Sequence, residues 1–223
     1  MNITFKDLIK LWGKPVSQKE IDFDLPVGRI STDSRTIETG DFFVPLVGNT
    51  FDGHDYLDMA FDIGIQAAIV SHHFNGLVPT DLPHWLVSDT LYAYQQIALL
   101  HRRNLNLPVV AVTGSVGKTT TRELIRAILS PLGEIVSSRG NENNDVGVPK
   151  TLLRGSEKDA AFVLEMGMRG FGQIERLSRV AEPDIAVITN VGQAHIGILG
   201  SRENIAKAKS EITSNLRCDG VVI

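Results

Sequence analysis

The chain has 223 residues, and its 22 lysines and arginines against 26 aspartates and glutamates give a formal net charge of −4. Hydrophobic residues make up 43% and charged residues 22%, which excludes global disorder. The slightly acidic balance argues against binding to bulk nucleic acid. A single cysteine, Cys218, excludes an intrachain disulfide and a cysteine-rich metal site. We find neither an apolar stretch of ~20 residues nor a secretory signal, so we expect a cytoplasmic protein without a membrane span.

Residues 1–105 predict a small α/β domain. Short apolar segments bounded by turn residues indicate strands at Gly28–Thr32, Phe42–Leu46, Ala67–Ser71 and Trp85–Val87. We predict one helix over His54–Ile63 and another through Leu91–Leu100, where apolar residues recur at helical spacing. The polar, turn-prone segment 104–108 follows, and we place the domain boundary within it, after residue 105.

Residues 106–223 predict a second domain in which apolar strands alternate with helices. The strands are indicated at Val109–Val112, Glu134–Ser137, Ala160–Leu164, Asp184–Thr189 and Gly220–Ile223. Such alternation is typical of a mainly parallel sheet covered by helices on both faces. The expected buried face of the first helix consists of Leu124, Ile125, Ile128 and Leu129, with Arg122, Glu123 and Arg126 off it. Because the chain stops inside a predicted strand, we expect this domain to be incomplete.

The segment Thr113–Thr120 lies between a strand and a helix, where phosphate-binding loops occur. Glycines let backbone N–H groups point at phosphate oxygens, and the helix N-terminus adds positive partial charge. The candidate nucleotide-binding residues are Gly114, Ser115, Gly117, Lys118, Thr119 and Thr120. We expect Lys118 to reach the outer phosphates and Thr119 to bind Mg²⁺ through its hydroxyl. The common pattern has glycine in place of Val112, so a capped glycine-rich turn is the alternative.

Two later strands bring polar side chains to the carboxyl end of the sheet, where ligands gather in parallel α/β folds. Glu165 follows one of these strands, and Asn190 follows the other, with His195 a few residues on. A carboxylate is a hard ligand suited to Mg²⁺, whereas histidine is an unusual one. The alternatives are a helix-capping or ion-paired Glu165 and a hydrogen-bonded loop histidine at position 195.

Lys209 is singled out by its position on the helix predicted from Ser201. The apolar stripe of this helix is Ile205, Ala208 and Ile212. Lys209 falls on that stripe, whereas Lys207 faces away. A lysine there either extends its amine to solvent or holds a ligand. If burial removes its proton, the amine can react with CO2 to form a carbamate, which is anionic and able to bind metal.

Seven further segments accompany the phosphate loop in a characteristic order. They are Thr32–Arg35, Gly40–Val44, Asp52–His54, Asn141–Pro149, Thr151–Leu153, Ala194–His195 and Ala206–Ile212. Together with the loop they resemble the Mur ligases, ATP-dependent enzymes that build the peptide of bacterial cell-wall precursors. The resemblance covers the whole chain. It implies a UDP-substrate-binding N-terminal domain, residues 1–105, and an ATP-binding central domain, residues 106–223.

Mur ligases also carry further central strands and a C-terminal domain, for which 223 residues leave no room. We therefore expect the C-terminal domain to be absent and this chain to bind its ligands without efficient ligation.

The segment 141–149 resembles the family members that use D-alanyl-D-alanine. The implied reaction is phosphorylation of the terminal carboxylate of UDP-N-acetylmuramoyl-tripeptide by ATP, followed by attack of D-alanyl-D-alanine on the acyl phosphate. By the same resemblance, Thr119 and Glu165 hold one Mg²⁺. His195 and a carbamylated Lys209 hold a second, and Asn144 orients the substrate. The candidate catalytic residues are Lys118, Asn144, His195 and Lys209.

The resemblance assigns the UDP end of the substrate to the N-terminal domain. The candidate substrate-binding residues are Ser34, Arg35, Asp52, Gly53, His54 and Asn144. Without the resemblance, Ser34 and Arg35 form an ordinary surface pair, and Asp52–His54 is a turn that starts a helix. The adjacent His72 and His73 point to opposite faces of a strand, which favours a surface location over a metal pair.

Three alternatives stay open on the sequence. One is the Mur ligase that adds a diamino acid or lysine to the dipeptide, although segment 141–149 speaks against it. Folylpolyglutamate synthetase-like ligases share the central domain but are disfavoured by the domain that precedes the ATP loop here. The third is a non-catalytic P-loop module, either regulatory or a switch. A guanine-reading switch is expected to show Asn/Thr-Lys-x-Asp where this chain has Thr189–Gly192. We further expect a monomer.

Overall fold

The structure is a computed structural model that describes residues 3–18 and 20–223. These residues form two compact units, one ending at Ile97 and the other beginning at Ala98. The division falls inside a helix, Thr90–Leu105, upstream of the boundary predicted after residue 105. Among the described residues, no helix has both the length and the apolar character needed to cross a bilayer.

The first unit is a four-stranded parallel sheet with helices. Its helices are α1 (Phe5–Trp12), α2 (Leu57–Ile63) and the first part of α3 (Thr90–Leu105), and its strands are β1 (Ile30–Ser31), β2 (Phe42–Phe43), β3 (Ala67–Ser71) and β4 (His84–Val87). The strands lie in the order β1-β2-β3-β4, all parallel. All four predicted strands are present, although β1 and β2 have two residues each. A 3₁₀ turn, Gly53–Tyr56, begins the predicted helix before α2.

Helix α1 was not predicted from the sequence, and it packs against β4. Phe5 and Leu8 are its buried residues, and the ring of Phe5 stacks on Trp85 with centroids 5.6 Å apart. The indole Nε1 of Trp85 donates to the carbonyl of Gly13 at 2.8 Å. The eight residues of α1 are strongly amphipathic, so the sequence did carry a periodic signal for the helix that was missed.

The second unit is a five-stranded parallel sheet. Its strands are β5 (Val109–Thr113), β6 (Glu134–Ser137), β7 (Asp159–Glu165), β8 (Ile185–Ile188) and β9 (Val221–Val222), and its helices are α4 (Lys118–Leu129), α5 (Gly147–Leu152), α6 (Gln173–Ala181), α7 (Ile196–Leu199) and α8 (Arg202–Ser210). The strand order is β6-β7-β5-β8-β9. Val109 and Ala111 pack in one apolar cluster, and Val110 and Val112 in another. The central strand is therefore covered on both faces, which confirms the predicted parallel α/β class.

The buried face of α4 differs from the predicted one. Leu124 and Ile128 are 58% and 73% exposed, whereas Arg122 is only 5% exposed. Ile125 and Leu129 pack against the apolar cluster of the sheet. Arg122, Ile125 and Leu129 are spaced at i, i+3 and i+7, so they share one helix face. The prediction was wrong about Arg122 because hydrophobic periodicity counts every arginine as polar. It takes no account of a partner that allows the side chain to be buried.

Arg102, near the end of α3, connects this helix to the segment between α6 and β8. Its Nε donates to the carbonyl of Ala181 at 2.9 Å. Its Nη2 donates to the carbonyl of Glu182 at 2.9 Å and to Asp184 Oδ2 at 3.2 Å. Asp184 Oδ2 also accepts the N–H of Val109 at 2.8 Å, so the network reaches the start of β5. Burial lowers the pKa of Arg102, and the carboxylates of Asp184 and Glu182 oppose this effect.

Arg102→Met is expected to destabilise the second unit by about 3–5 kcal/mol, because it leaves buried acceptors without their charged donor. The matched control is Arg103→Met, which removes an exposed ion pair with Glu182 and is expected to cost at most ~1 kcal/mol. Urea denaturation followed by circular dichroism measures both. Equal effects of the two substitutions would contradict a role for the buried network.

Candidate functional site

The loop between β5 and α4 requires glycine at two positions. Gly114 has φ +153° and Gly117 has φ +82°, both disfavoured for residues with a side chain. A Cβ on Gly114 would lie 1.9 Å from Thr189 Oγ1. The hydroxyl of Thr189 donates to the carbonyl of Val116 at 2.6 Å, which ties the loop to the residues after β8.

Asn190 also holds the loop from the residues after β8, and Ser115 of the loop contacts the same residues. The N–H of Ser115 donates to the carbonyl of Asn190 at 3.2 Å, and the N–H of Val116 donates to Asn190 Oδ1 at 3.2 Å. The hydroxyl of Ser115 accepts the N–H of Gly192 at 2.9 Å. Asn190 therefore positions the loop, a role that its place at a strand end did not reveal.

The first turn of α4 presents a cation, a hydroxyl and backbone donors at the end of this loop. The Nζ of Lys118 donates to the carbonyl of Gly114 at 2.9 Å. The hydroxyl of Thr119 donates to Glu165 Oε2 at 2.8 Å. The N–H groups of Lys118, Thr119 and Thr120 have no preceding helical carbonyl to bind, because they open the helix. Backbone donors beside a lysine fit a polyphosphate.

Glu165 is the last residue of β7, and its carboxylate is held on both oxygens. It is 3% exposed. Oε1 accepts the amide of Asn143 at 3.0 Å, and Oε2 lies 3.6 Å from Arg122 Nη1 as well as accepting from Thr119. The N–H of Glu165 donates to the Ser138 hydroxyl at 3.0 Å. The ion pair considered as an alternative for Glu165 is thus present, and it coexists with the contact to Thr119.

The pairing of Thr119 with Glu165 fits a hard divalent cation. Because the hydroxyl donates its proton to the carboxylate, its oxygen lone pairs remain available as a ligand. A carboxylate and a hydroxyl are the oxygen donors that Mg²⁺ prefers. Neither here nor anywhere else in the described part of the chain is a group of three or more His, Cys, Asp or Glu side chains placed to hold a metal ion.

A cleft of about 460 Å³ brings several predicted residues together. Lys118, Asn144 and His195 line it with Asn143 and Arg169. The side-chain oxygen of Asn144 accepts the N–H of Gly147 at 2.9 Å, at the start of α5. Asn143 and Arg169 were not predicted as site residues from the sequence. Asn143 lay in the segment 141–149, but its pairing with a distant strand end was not visible there.

His195 and Lys209 both have lowered pKa values. His195 has φ +68° and precedes α7. Burial, together with the positive charges of Lys209, Lys118 and Arg169, lowers the pKa of His195. Burial and the charge of Lys118 lower the pKa of Lys209 to about 8. Lys209 is 2% exposed and Lys207 is exposed, as their helix positions predicted.

The candidate residues of the first unit occupy two different settings. Arg35 is exposed and ion-paired with Asp33 at 2.7 Å, and Ser34 begins the same 3₁₀ turn. Asp52 lines a cavity of about 460 Å³. Its carboxylate also accepts the N–H of His54 at 2.9 Å, which is the turn and helix start considered as an alternative.

His54 itself is buried, and both ring nitrogens have partners. Its Nδ1 lies 2.5 Å from Asp52 Oδ1, and its Nε2 accepts the N–H of Ser71 at 2.9 Å. Gly53 packs tightly, since a Cβ there would lie 2.9 Å from the backbone of Leu46. His72 and His73 are exposed, as predicted.

The second unit has the features of a P-loop nucleotide-binding fold. It is a parallel sheet in which a glycine-rich loop leads into a helix that begins with lysine and threonine, and a buried carboxylate lies on the neighbouring strand. Comparison with known families gives a narrower class. Residues 26–116 match the family described as "Mur ligase family, catalytic domain", and residues 112–223 match "Mur ligase middle domain". The chain belongs to the Mur ligase family.

Three similar proteins match most of this chain at 33% to 46% identity. The chain is 46% identical over 200 residues to UDP-N-acetylmuramoyl-tripeptide--D-alanyl-D-alanine ligase from Synechocystis sp., covering 90% of this chain and 44% of the relative. MurF from Acinetobacter baumannii has a TM-score of 0.88 at 36% identity, over 98% of this chain and 48% of that one. MurF ligase from Thermotoga maritima in complex with ADP has a TM-score of 0.80 at 33% identity, over 88% and 45%. This chain spans less than half the length of these relatives.

We expect the amine of Lys209 to titrate with a midpoint of about 8 instead of near 10.5. Protonation in the buried site costs solvation energy, so the unfolded chain binds this proton more tightly. Below pH 8 both states are protonated and the penalty is complete. Stability should therefore rise as the pH increases from about 8 towards 10.5. The ¹³Cε signal of lysine measures the midpoint, and Lys209→Met assigns it. A midpoint above 10 would contradict the burial argument.

Proposed function

We propose that this chain functions in an ATP-dependent amide ligation of peptidoglycan precursor synthesis. In this reaction D-alanyl-D-alanine is joined to UDP-N-acetylmuramoyl-tripeptide. The observation on which the proposal depends is the contact of Thr119 with Glu165 at the mouth of the phosphate loop. The name of the Synechocystis relative supports the substrates, and the ADP complex of the Thermotoga relative supports the nucleotide. A cytoplasmic location, a monomeric state and the lack of a nucleic-acid partner belong to the same proposal.

The second unit is proposed to bind ATP and Mg²⁺. Backbone groups of Gly114, Ser115, Gly117 and Thr120 surround the phosphates. Lys118 exchanges its contact with the Gly114 carbonyl for a phosphate oxygen, which neutralises developing charge. Thr119 and Glu165 hold the cation. Bound there, Mg²⁺ supplies charge neutralisation and alignment of the reacting oxygens.

His195 and Lys209 are proposed to hold a second Mg²⁺ near the substrate carboxylate. Burial and the positive charges of Lys118 and Arg169 lower the pKa of His195, which favours the neutral imidazole that can donate a lone pair. The lowered pKa of Lys209 leaves a useful fraction of neutral amine near pH 8. That amine can attack CO2, form a carbamate and release a proton. The product is an anionic oxygen ligand in place of a buried cation.

The chemical difficulty of this reaction is to bring a carboxylate against a triphosphate, since both are anions. Lys118 and Arg169 line the cleft, and their positive charges can neutralise the two anions. Asn144 lines it too, with its side-chain oxygen fixed by Gly147, and is proposed to orient the peptide end of the substrate. Phosphate transfer then gives an acyl phosphate. The amine of D-alanyl-D-alanine attacks it, the amide forms and phosphate leaves.

Residues 1–105 are proposed to form the domain that binds the UDP end of the substrate. Asp52 lines a cavity in the first unit that also includes Ser71 and the first residues of α3. Ser34 and Arg35 are proposed to contact the nucleotide, with Arg35 exchanging its ion pair with Asp33 for a phosphate. Gly53 and His54 do not line this cavity, so their proposed contribution is to fix the turn that carries Asp52.

Gly114→Ala is expected to lower the affinity for ADP in the presence of Mg²⁺ by at least about tenfold. The added Cβ clashes with Thr189, and the φ of +153° is strained for alanine. Isothermal titration calorimetry of this chain measures the affinity. Gly170→Ala is the matched control, because a Cβ there meets nothing within 4 Å. Unchanged binding by Gly114→Ala would contradict the assignment of the loop.

We expect this chain to bind UDP-N-acetylmuramoyl-tripeptide more tightly than UDP alone, because the peptide adds contacts to those of the nucleotide. Calorimetric titrations with the tripeptide, the corresponding dipeptide and UDP give the order of affinities. Tighter binding of the dipeptide would favour the diamino-acid-adding ligase instead. Binding of ADP without any of the three would leave only a P-loop module.

A further inference from the structure

Arg122 is a buried charge whose surroundings call for an explanation. It lies on α4 three residues after Thr119 and faces the sheet beside Ile125 and Leu129. Its Nη2 donates to Glu123 Oε1 at 2.6 Å. Within the described residues, its Nε and Nη1 are buried and make no hydrogen bond. Burying a guanidinium with unsatisfied donors is unfavourable unless a nearby charge compensates for it.

The compensating charge inside the fold is Glu165. Its Oε2 lies 3.6 Å from Arg122 Nη1, and both side chains are almost fully buried. The same carboxylate is oriented without help from Arg122, because Thr119 and Asn143 each donate to one of its oxygens. Arg122 therefore contributes charge to Glu165 more than it contributes direction.

We propose that Arg122 is a positioning residue that acts as the standing countercharge of Glu165 and sets the concentration of divalent cation that the site requires. This inference rests on the proposed role of Glu165 as a Mg²⁺ ligand. In the metal-free chain, the guanidinium stabilises the buried carboxylate. When a cation binds, it takes over that task, and Arg122 becomes a repelling neighbour.

Coulomb's law gives the direction in which Arg122 changes the affinity of the site for a divalent cation. A divalent cation on Glu165 adds two positive charges next to a guanidinium that is already 3.6 Å from this carboxylate. Like charges repel more strongly in a protein interior than in water. Removing the charge of Arg122 should therefore strengthen cation binding, whereas a merely structural loosening of the site would weaken it.

The experiment measures the Mg²⁺ concentration that gives half-maximal binding of ADP to this chain. Arg122→Met is expected to lower this concentration about tenfold or more. Arg122→Lys keeps the charge and is expected to restore a value near that of the wild type. Arg126→Met is the matched control. It removes an exposed arginine of the same helix that pairs with Glu123, and it should leave the concentration unchanged.

An unchanged or higher Mg²⁺ requirement in Arg122→Met would overturn the inference. If the wild-type chain itself binds ADP without any dependence on Mg²⁺, the proposed function fails first, and the inference fails with it.

A second measurement does not depend on the metal. Arg122→Met should lower the melting temperature of the metal-free chain, and adding Glu165→Gln should recover part of that loss, since both charges of the pair are then removed. A double variant that is no more stable than Arg122→Met alone would refute the countercharge.

Discussion

The site in the second unit depends on the parallel register of β5 with its two neighbours. Val112 pairs with Glu165 on β7, and Thr113 pairs with Ile188 on β8. These pairings place the buried carboxylate on one side of the loop and Thr189 and Asn190 on the other. A slip of one residue would turn the side chain of Glu165 to the opposite face of the sheet. The backbone hydrogen bonds of the sheet thus bring the phosphate loop, the candidate metal ligand and the loop's anchor together, and side-chain hydrogen bonds then fix their orientation.

The sequence predicts most of this framework because the framework follows from local patterns. Continuous apolar segments mark strands that are buried on both faces, and their alternation with helices marks a parallel sheet. The first unit was harder to predict from the sequence. Its strands β1 and β2 have only two residues each, and α1 packs against a tryptophan that is distant in the chain. Helix α4 was predicted in place, but its buried face was not, because hydrophobic periodicity cannot recognise an arginine whose countercharge comes from another strand.

The residues of the candidate site likewise fall into two groups, those that local sequence patterns reveal and those that they do not. Lys118 and Thr119 are visible in the sequence because a loop motif fixes their neighbours. The burial of Lys209 follows from a single helix, so it was predicted correctly. Asn143 and Arg122 were not predicted, because their importance arises only from contact with Glu165, 22 and 43 positions away in the chain (165 − 143 and 165 − 122). Roles that depend on pairing between distant segments need the three-dimensional structure.

Burial has opposite consequences for two of the buried cations of this unit, Lys209 and Arg122. Lys209 loses its proton more easily when desolvated, so its pKa is about 8 and a neutral amine becomes available. A guanidinium keeps its charge inside proteins, so Arg122 requires a carboxylate nearby. Exchanging the two would have unequal effects. Arginine at position 209 offers no neutral amine to CO2, whereas a lysine at 122 keeps a positive charge beside Glu165 and loses only the planar group that spans Glu123 and Glu165. The choice of cation at each position therefore follows from whether the site needs a charge that can be removed or one that persists.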